Sequence, residues 1–123
     1  MGNPVTHWQI LTTQPQRLQQ FYTKLFDWRS GDDNALGYQA IDTGHADGID
    51  GGLWPIAPNE GRPMVQLFVR VDDVATHVAK AVALGATVVI PPQVLPGGDE
   101  MAVVVDPDGL PFAMFRGRGN VPN

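Results

Sequence analysis

With no cysteine, the chain can form no disulfide, thiolate nucleophile or sulfur-ligated metal site. The groups left to do chemistry are three histidines, the acids and a few arginines. His7 stands in an apolar run, where an imidazole serves either as a hydrogen-bonding contact for a ligand or as a half-buried group satisfied by backbone. His77 falls beside the apolar stripe of a helix and reads as a packing or boundary residue. His45, in a Gly-rich loop, is read the same way. Arg70, near a strand end, can take a carboxylate bidentately or pair with a surface acid. Asp106 and Asp108 look like a catalytic carboxylate pair, but the turn Asp106-Pro107-Asp108-Gly109 uses Asp as its ordinary capping residue, so no catalytic role is assigned to them. The chain carries no Gly-rich phosphate loop, serine nucleophile elbow or His-x-x-x-His pair.

These residues sit in a chain of 123 residues, 43% hydrophobic and 17% charged, which fits one globular domain. A net charge of −5 removes the basic stripe that phosphate contacts need, so no nucleic-acid partner is expected. With no signal-like N-terminus and no apolar run of membrane length, a cytoplasmic protein without a membrane partner is expected.

The elements that must position the candidate groups come in two similar sets. Val5 to Leu11 reads as a strand, and Thr13-Gln14-Pro15-Gln16 is a capping-box pattern that predicts a helix capped by Thr13. Leu18, Phe21, Tyr22, Leu25 and Phe26 then keep the spacing of one buried stripe packed on a sheet. Segments around Arg29, from Gly37 to Thr43 and from Gly51 to Pro55 read as short antiparallel strands. The order recurs: a strand from Met64 to Val71, then a helix capped at Asp72-Asp73. Val74, Val78, Ala81 and Val82 face inward on that helix and Gly85 stops it. Strands from Thr87 to Ile90, Met101 to Val105 and Phe112 to Arg116 complete the second set. The loop from Pro96 to Glu100 reads as an exposed turn or as a lid over a cleft, the turn being favoured, and Arg116 to Asn120 as a frayed tail. One offset relates the halves: His7 to Gln66 (66 − 7 = 59), and likewise Thr13 to Asp72, Leu25 to Leu84 and Asp47 to Asp106, the signature of a duplicated module.

Two β-α-β-β-β modules, the Asp-Pro-Asp-Gly turn, Val71-Asp72-Asp73-Val74 opening the second helix, and His7 followed by Phe21-Tyr22 together resemble the vicinal oxygen chelate superfamily. Its members include glyoxalases, bleomycin-resistance proteins and extradiol dioxygenases. The resemblance covers about Val5 to Arg116. It implies an α+β fold of two βαβββ modules forming curled mixed sheets around a cleft, as one domain. Module one covers about 4–57, a connector 58–62, module two 63–117 and a tail 118–123. Strand alternation then directs side chains. With Trp8 and Ile10 under the first helix, His7, Gln9 and Leu11 face the cleft. With Leu67, Val69 and Val71 under the second, Gln66, Phe68 and Arg70 take the open side. Phe112 and Met114 go to the core, Ala113 and Phe115 to the cleft.

Metal-using members of the superfamily place His, Gln or Glu at inward strand positions. The positions that match here are His7, Gln66, Ala113 where a Glu is typical, and Trp54 or a neighbour by the offset. Only His7 and Gln66 can ligate, which is short of the three or four ligands of an ordinary site. A rescue from Asp42, His45, Asp47 and Asp50 would require their loop to fold inward.

The function expected is therefore a glyoxalase-like domain that binds a small organic ligand in an aromatic-lined cleft, without a catalytic metal or other cofactor. Its ligand-binding residues would be His7, Gln9, Trp54, Gln66, Phe68, Arg70 and Phe115. The net acidity would favour a cationic, drug-like molecule. The alternative is a divalent-metal-dependent lyase, isomerase or dioxygenase using His7 and Gln66, with a third ligand from the Asp42 to Gly52 loop or from a partner chain. A third reading is an accessory domain whose cleft is filled by its own aromatic side chains. Exposed edge strands favour a homodimer.

Overall fold

The computed structural model describes residues 2–31 and 37–117. In chain order the elements are β1 (Val5–Thr12), α1 (Pro15–Phe26), β2 (Arg29–Ser30), β3 (Gln39–Asp42), β4 (Gly51–Pro55), β5 (Met64–Arg70), α2 (Val74–Ala83), β6 (Thr87–Val94), β7 (Glu100–Val105) and β8 (Pro111–Arg116). This is an α+β chain in which each half runs β-α-β-β-β, as the repeat predicts. The described residues fall into two compact units, His7–Gln66 and residues 2–6 with 67–117. Among them, no helix is long and apolar enough to cross a membrane.

In the first unit the strands lie in the order β2-β3-β4-β1. β1 and β4 are parallel, while β3 is antiparallel to both β2 and β4. α1 begins at Pro15 rather than at Thr13. The Thr12 hydroxyl, not that of Thr13, accepts the Gln14 amide (2.9 Å), and Gln14 takes the cap position without a side-chain bond. Pro15 suits the first helical position because its missing N–H would have no helical partner there.

The stripe expected to be buried is only partly covered. No residue of α1 is fully buried, and Phe21, Leu25 and Phe26 are between 53% and 57% exposed. The cause is the way the helix meets the sheet. Trp28 stacks on Tyr22 at 5.8 Å between ring centroids and touches Phe26 at 5.1 Å and Trp8 at 5.5 Å. Flat rings fill the space between helix and strands, so the outer members of the stripe stay at the surface.

The second unit has the order β5-β8-β7-β6, with β5 parallel to β8 and the remaining pairs antiparallel. Here the amphipathic reading holds except at Val82, which lies at the margin of the covered stripe and is 49% exposed. Val74 and Val78 of α2 are buried in one cluster with Val71, Ala102, Val104 and Met114. α2 packs over β6, β7 and β8, which leaves Leu67 on β5 about half exposed instead of under the helix. β6 continues past Ile90 to Val94, through Pro91 and Pro92. Its register with β7 shifts between Val88 and Ile90 and again between Ile90 and Gln93. The second irregularity accommodates the two prolines, which have no N–H for a ladder.

Turn chemistry follows the residue types. Asp106 Oδ1 accepts the amides of Asp108 and Leu110, each at 2.9 Å, so this acid caps its turn. Residues 95–99 close a tight turn in which Leu95 donates to the Asp99 carbonyl. Arg116 does not fray: it ends β8 and pairs with Glu100 at 3.5 Å. The expected tail at 118–123 lies outside the described residues.

The α2 cap makes a pH-sensitive prediction. The Thr76 amide donates to Asp73 Oδ1 (3.0 Å), and this bond holds the exposed carboxyl below its ordinary pKa. A depressed carboxyl stabilises the fold above the unfolded-state pKa and loses that contribution as pH falls through the folded value. Asp73→Ala is expected to lower the melting temperature at neutral pH and to flatten the acid limb of its pH dependence. Asp73→Asn should keep most of the neutral-pH stability, because Asn also caps, yet show the same flattened limb. Thermal melts across the acid range check both, and an unchanged acid limb in Asp73→Asn would count against the assignment.

Candidate functional site

Register decides which candidate side chains share a face, since directly paired residues of neighbouring strands point the same way. In the first unit Trp8 pairs with Gly51, Gln9 with Gly52, and Leu11 with Trp54. Trp8 is on the helix side, in the aromatic cluster around Trp28. His7, Gln9, Leu11, Gly52 and Trp54 therefore belong to the face turned away from α1. β3 adds Ala40, paired with Gly52, and just before β3 stands Tyr38, whose ring lies 5.9 Å from that of Trp54. Gln9 is buried, and His7 and Trp54 are half-buried. Gln66 closes this unit in sequence and is also buried.

In the second unit Phe68 pairs with Ala113 and Arg70 with Phe115, and β7 adds Val103 opposite Ala113 and Met101 opposite Phe115. This face, turned away from α2, carries a second apolar cluster in which Phe68, Val103 and Ala113 are buried. Ile90, Met101 and Phe115 pack against it. Phe68 and Phe115 meet edge to face at 6.3 Å. Sheet register thus gathers Gln9 with Trp54 in one unit and Phe68, Arg70 and Phe115 in the other. Phe68 serves mainly as a buried floor under Phe115.

The 59-residue offset needs one correction. It relates Val5 to Met64 at the strand starts and Pro15 to Val74 at the helix starts. Leu11 pairs with Trp54 and its counterpart Arg70 with Phe115, so the last strands have slipped by two residues (115 − 54 = 61). The counterpart of Ala113 is therefore Gly52, and that of Phe115 is Trp54. The longer strands β6 and β7 of the second module absorb the difference, since its strand-to-strand loops are the shorter ones.

The metal that the superfamily resemblance implies does not fit these residues. Ala113 is 0% exposed among hydrocarbon side chains, and Gly52 has no side chain, so neither last strand offers a donor at the equivalent positions. Among the described residues no three His, Asp or Glu side chains come together as a metal site. The Asp42 to Gly52 loop gives no rescue. Asp42 Oδ1 accepts the Gly44 amide (2.7 Å), Asp50 Oδ1 accepts the Thr43 amide (2.9 Å), and His45 Nδ1 accepts the Asp47 amide (3.0 Å). These side chains are exposed and engaged in their own turn. His77 likewise bonds the Asp73 carbonyl of its own helix at 3.0 Å, which fits a boundary residue.

Two features escaped the sequence reading. Tyr38 covers Gly52 so closely that a β-carbon there would meet its phenol. Burial pushes its hydroxyl pKa up. The available signal was alternation, which, continued one residue before β3, puts Tyr38 on the same side as Ala40. The other feature is an open pocket of about 330 Å³ bordered by Arg29, Ser30, Ala40, Asp42, Asp50 and Gly51. It depends on how a two-residue strand docks, and no residue pattern announces that.

A family model described as a glyoxalase-like domain matches residues 8–115. A putative glyoxylase of Mycobacterium bovis, CFP32, is 28% identical over 118 residues, which cover 91% of this chain and 45% of that protein. The protein of the same description from Mycobacterium tuberculosis matches equally. The chain thus spans less than half the length of these curated relatives. Among solved structures, the hypothetical protein BH1468 from Bacillus halodurans C-125 superposes with a TM-score of 0.72 at 12% identity, covering 100% of both chains. The methylmalonyl-CoA epimerase of Streptomyces coelicolor, solved in complex with 2-nitronate-propionyl-CoA, superposes with a TM-score of 0.64 at 13% identity over 94% of this chain and 98% of its own. At these identities the structural likeness speaks for the fold alone.

Proposed function

The chain belongs to the glyoxalase-like domain family, within the vicinal oxygen chelate superfamily, and from that membership we propose that it binds a small, mostly apolar organic molecule against the helix-free faces of its sheets, without a catalytic divalent metal. One observation carries the reading. At Ala113, where the resemblance has a Glu ligand, the side chain is a buried methyl packed in hydrocarbon, and the equivalent Gly52 offers nothing. His7 and Gln66 alone leave a dication short of ligands and without a compensating negative charge. The aromatic residues on the same faces support an organic ligand. Trp54 and Tyr38 line the face of the first unit, and Phe115 over Phe68 lines that of the second; flat apolar surfaces with few polar groups are what small-molecule sites are built from. His7, Gln9 and Gln66 would supply the polar contacts.

The test is elemental analysis of freshly purified, chelator-free protein beside His7→Ala, with native mass spectrometry on the same samples. Metal far below one ion per chain in both proteins is expected, together with a small-molecule adduct on the wild type. An equimolar divalent ion that disappears in His7→Ala would overturn the proposal in favour of metal-dependent chemistry.

A further inference from the structure

We propose that the ligand is an organic carboxylate on a flat apolar body, with Arg70 gripping the carboxylate and Phe115 taking the body. This rests on the reading above, that the helix-free faces bind an organic molecule. It starts from a charged difference between the duplicated modules at one register position of those faces. Leu11 and Arg70 occupy equivalent register positions, opposite the equivalent aromatics Trp54 and Phe115. Module two keeps the aromatic neighbour and replaces the aliphatic one by a guanidinium.

The surroundings of Arg70 leave that guanidinium available. The side chain is exposed, and among the described residues no carboxylate lies within 4.0 Å of it. The strands of this unit contain a single acid, Glu100. Glu100 pairs across with Arg116 and is bonded to it at 3.5 Å, one register step from Phe115 and hence on the opposite face. Ala113 in place of an acid leaves no negative group beside Phe115 to repel an anion. Phe115 is half-buried and meets the buried Phe68 edge to face, and strand pairing sets it directly beside Arg70, so a ring surface and a planar fork of donors share one face. That geometry suits a carboxylate joined directly to a ring.

The net charge of −5 points the other way, towards a cation, but a carboxylate on Arg70 would make a direct charge-assisted contact, whereas exposed acids that do not touch the ligand act through solvent and are weakened by salt.

The probes are benzoate, benzamide and benzylamine: one shape carrying negative, zero and positive charge. Each is titrated by ligand-observed NMR into wild type, Arg70→Gln, Arg70→Lys and Phe115→Ala, with thermal melts confirming that every variant is folded. The expected result is that wild type prefers benzoate over benzamide by roughly ten- to hundredfold, the range of a charge-assisted bidentate contact. Arg70→Gln should bring the ratio to about one, Arg70→Lys should leave it intermediate, and Phe115→Ala should weaken both ligands together. Equal or tighter binding of benzamide or benzylamine by wild type would overturn the carboxylate while leaving an organic-ligand site intact. A preference for benzoate that survives Arg70→Gln would overturn the role of Arg70. If none of the three binds, this proposal and the reading beneath it fall together.

Discussion

Ala113→Glu, which writes the superfamily's usual ligand type back into the last strand, is expected to destabilise the fold by about 3–5 kcal/mol and to recruit no metal. Ala113 is fully buried, and β8 is hydrogen-bonded to β5 on one side and β7 on the other. Neither neighbour can step aside to admit a longer side chain. The new carboxylate would sit against Phe68 and Val103, with no cation on the paired positions of the flanking strands, and the diagonal Arg70, itself exposed, would offset only part of its desolvation. Against a total of about 5–15 kcal/mol for a domain, that is a large fraction.

The sign with pH follows from burial. Burial raises the folded-state pKa of a carboxyl above its unfolded value, so the neutral form is the tolerated one. The deficit relative to wild type should be smallest in acid and should grow as pH rises above the unfolded-state pKa of Glu towards the folded value. Urea denaturation of both proteins at mildly acidic and neutral pH, with and without added Zn²⁺, Ni²⁺ or Mn²⁺, checks it. A variant of wild-type stability that binds one ion per chain would sink both this prediction and the metal-free reading.

Much of this arrangement is legible in the residues, and the failures have specific causes. Alternation along β1, β5 and β8 identified which side chains share a face, because one sheet face in each unit is covered by a helix and the period of two admits no compromise. The duplication was visible as an offset, but the offset belongs to strand and helix starts, whereas sheet register is set after the loops. Hence the offset points from Ala113 to Trp54 or a neighbour, whereas register makes the neighbour Gly52 its counterpart and matches Trp54 with Phe115. The helical period of α1 was read correctly and its burial was not. Periodicity says that Phe21, Leu25 and Phe26 lie on one side, and cannot say that Trp8 and Trp28 hold that side at ring thickness from the strands. At the start of α1, two adjacent threonines could cap, and the choice went to the one whose hydroxyl reaches the Gln14 amide. Phe68 was placed on the correct face, but its neighbours Ala113 and Val103 come from strands far along the chain, so its burial required the sheet.

Gly51 and Gly52 are expected to respond very differently to the same methyl group: Gly51→Ala should cost about 3 kcal/mol and Gly52→Ala about 1 kcal/mol, the upper and lower ends of the overpacking range. The two glycines are consecutive in β4 and point to opposite faces, each beneath an aromatic ring. A β-carbon on Gly51 would collide with Cδ2, Cε2 and Cε3 of Trp8, the middle of the indole. That ring cannot swing away cheaply. Its Nε1 donates to the Ile49 carbonyl at 3.0 Å and its face is held by Trp28. The strand cannot retreat either, since Gly51 is paired with β1 on one side and β3 on the other. A β-carbon on Gly52 meets chiefly the phenol end of Tyr38, the far tip of a side chain that can rotate outward. Rotation would give up a long contact of the Tyr38 hydroxyl with the Gly51 carbonyl (3.4 Å) and the ring contact with Trp54. Gly52→Ala should therefore leave the domain folded but move the wall assigned to the ligand. With the ring brought into water, the raised pKa of Tyr38 should drop back towards the ordinary tyrosine value, which an ultraviolet phenolate titration detects directly. Denaturant titrations of the two variants give the stability comparison. If Gly52→Ala proves the costlier substitution, or its phenol still titrates late, then Tyr38 is locked in place and the wall over Gly52 is rigid.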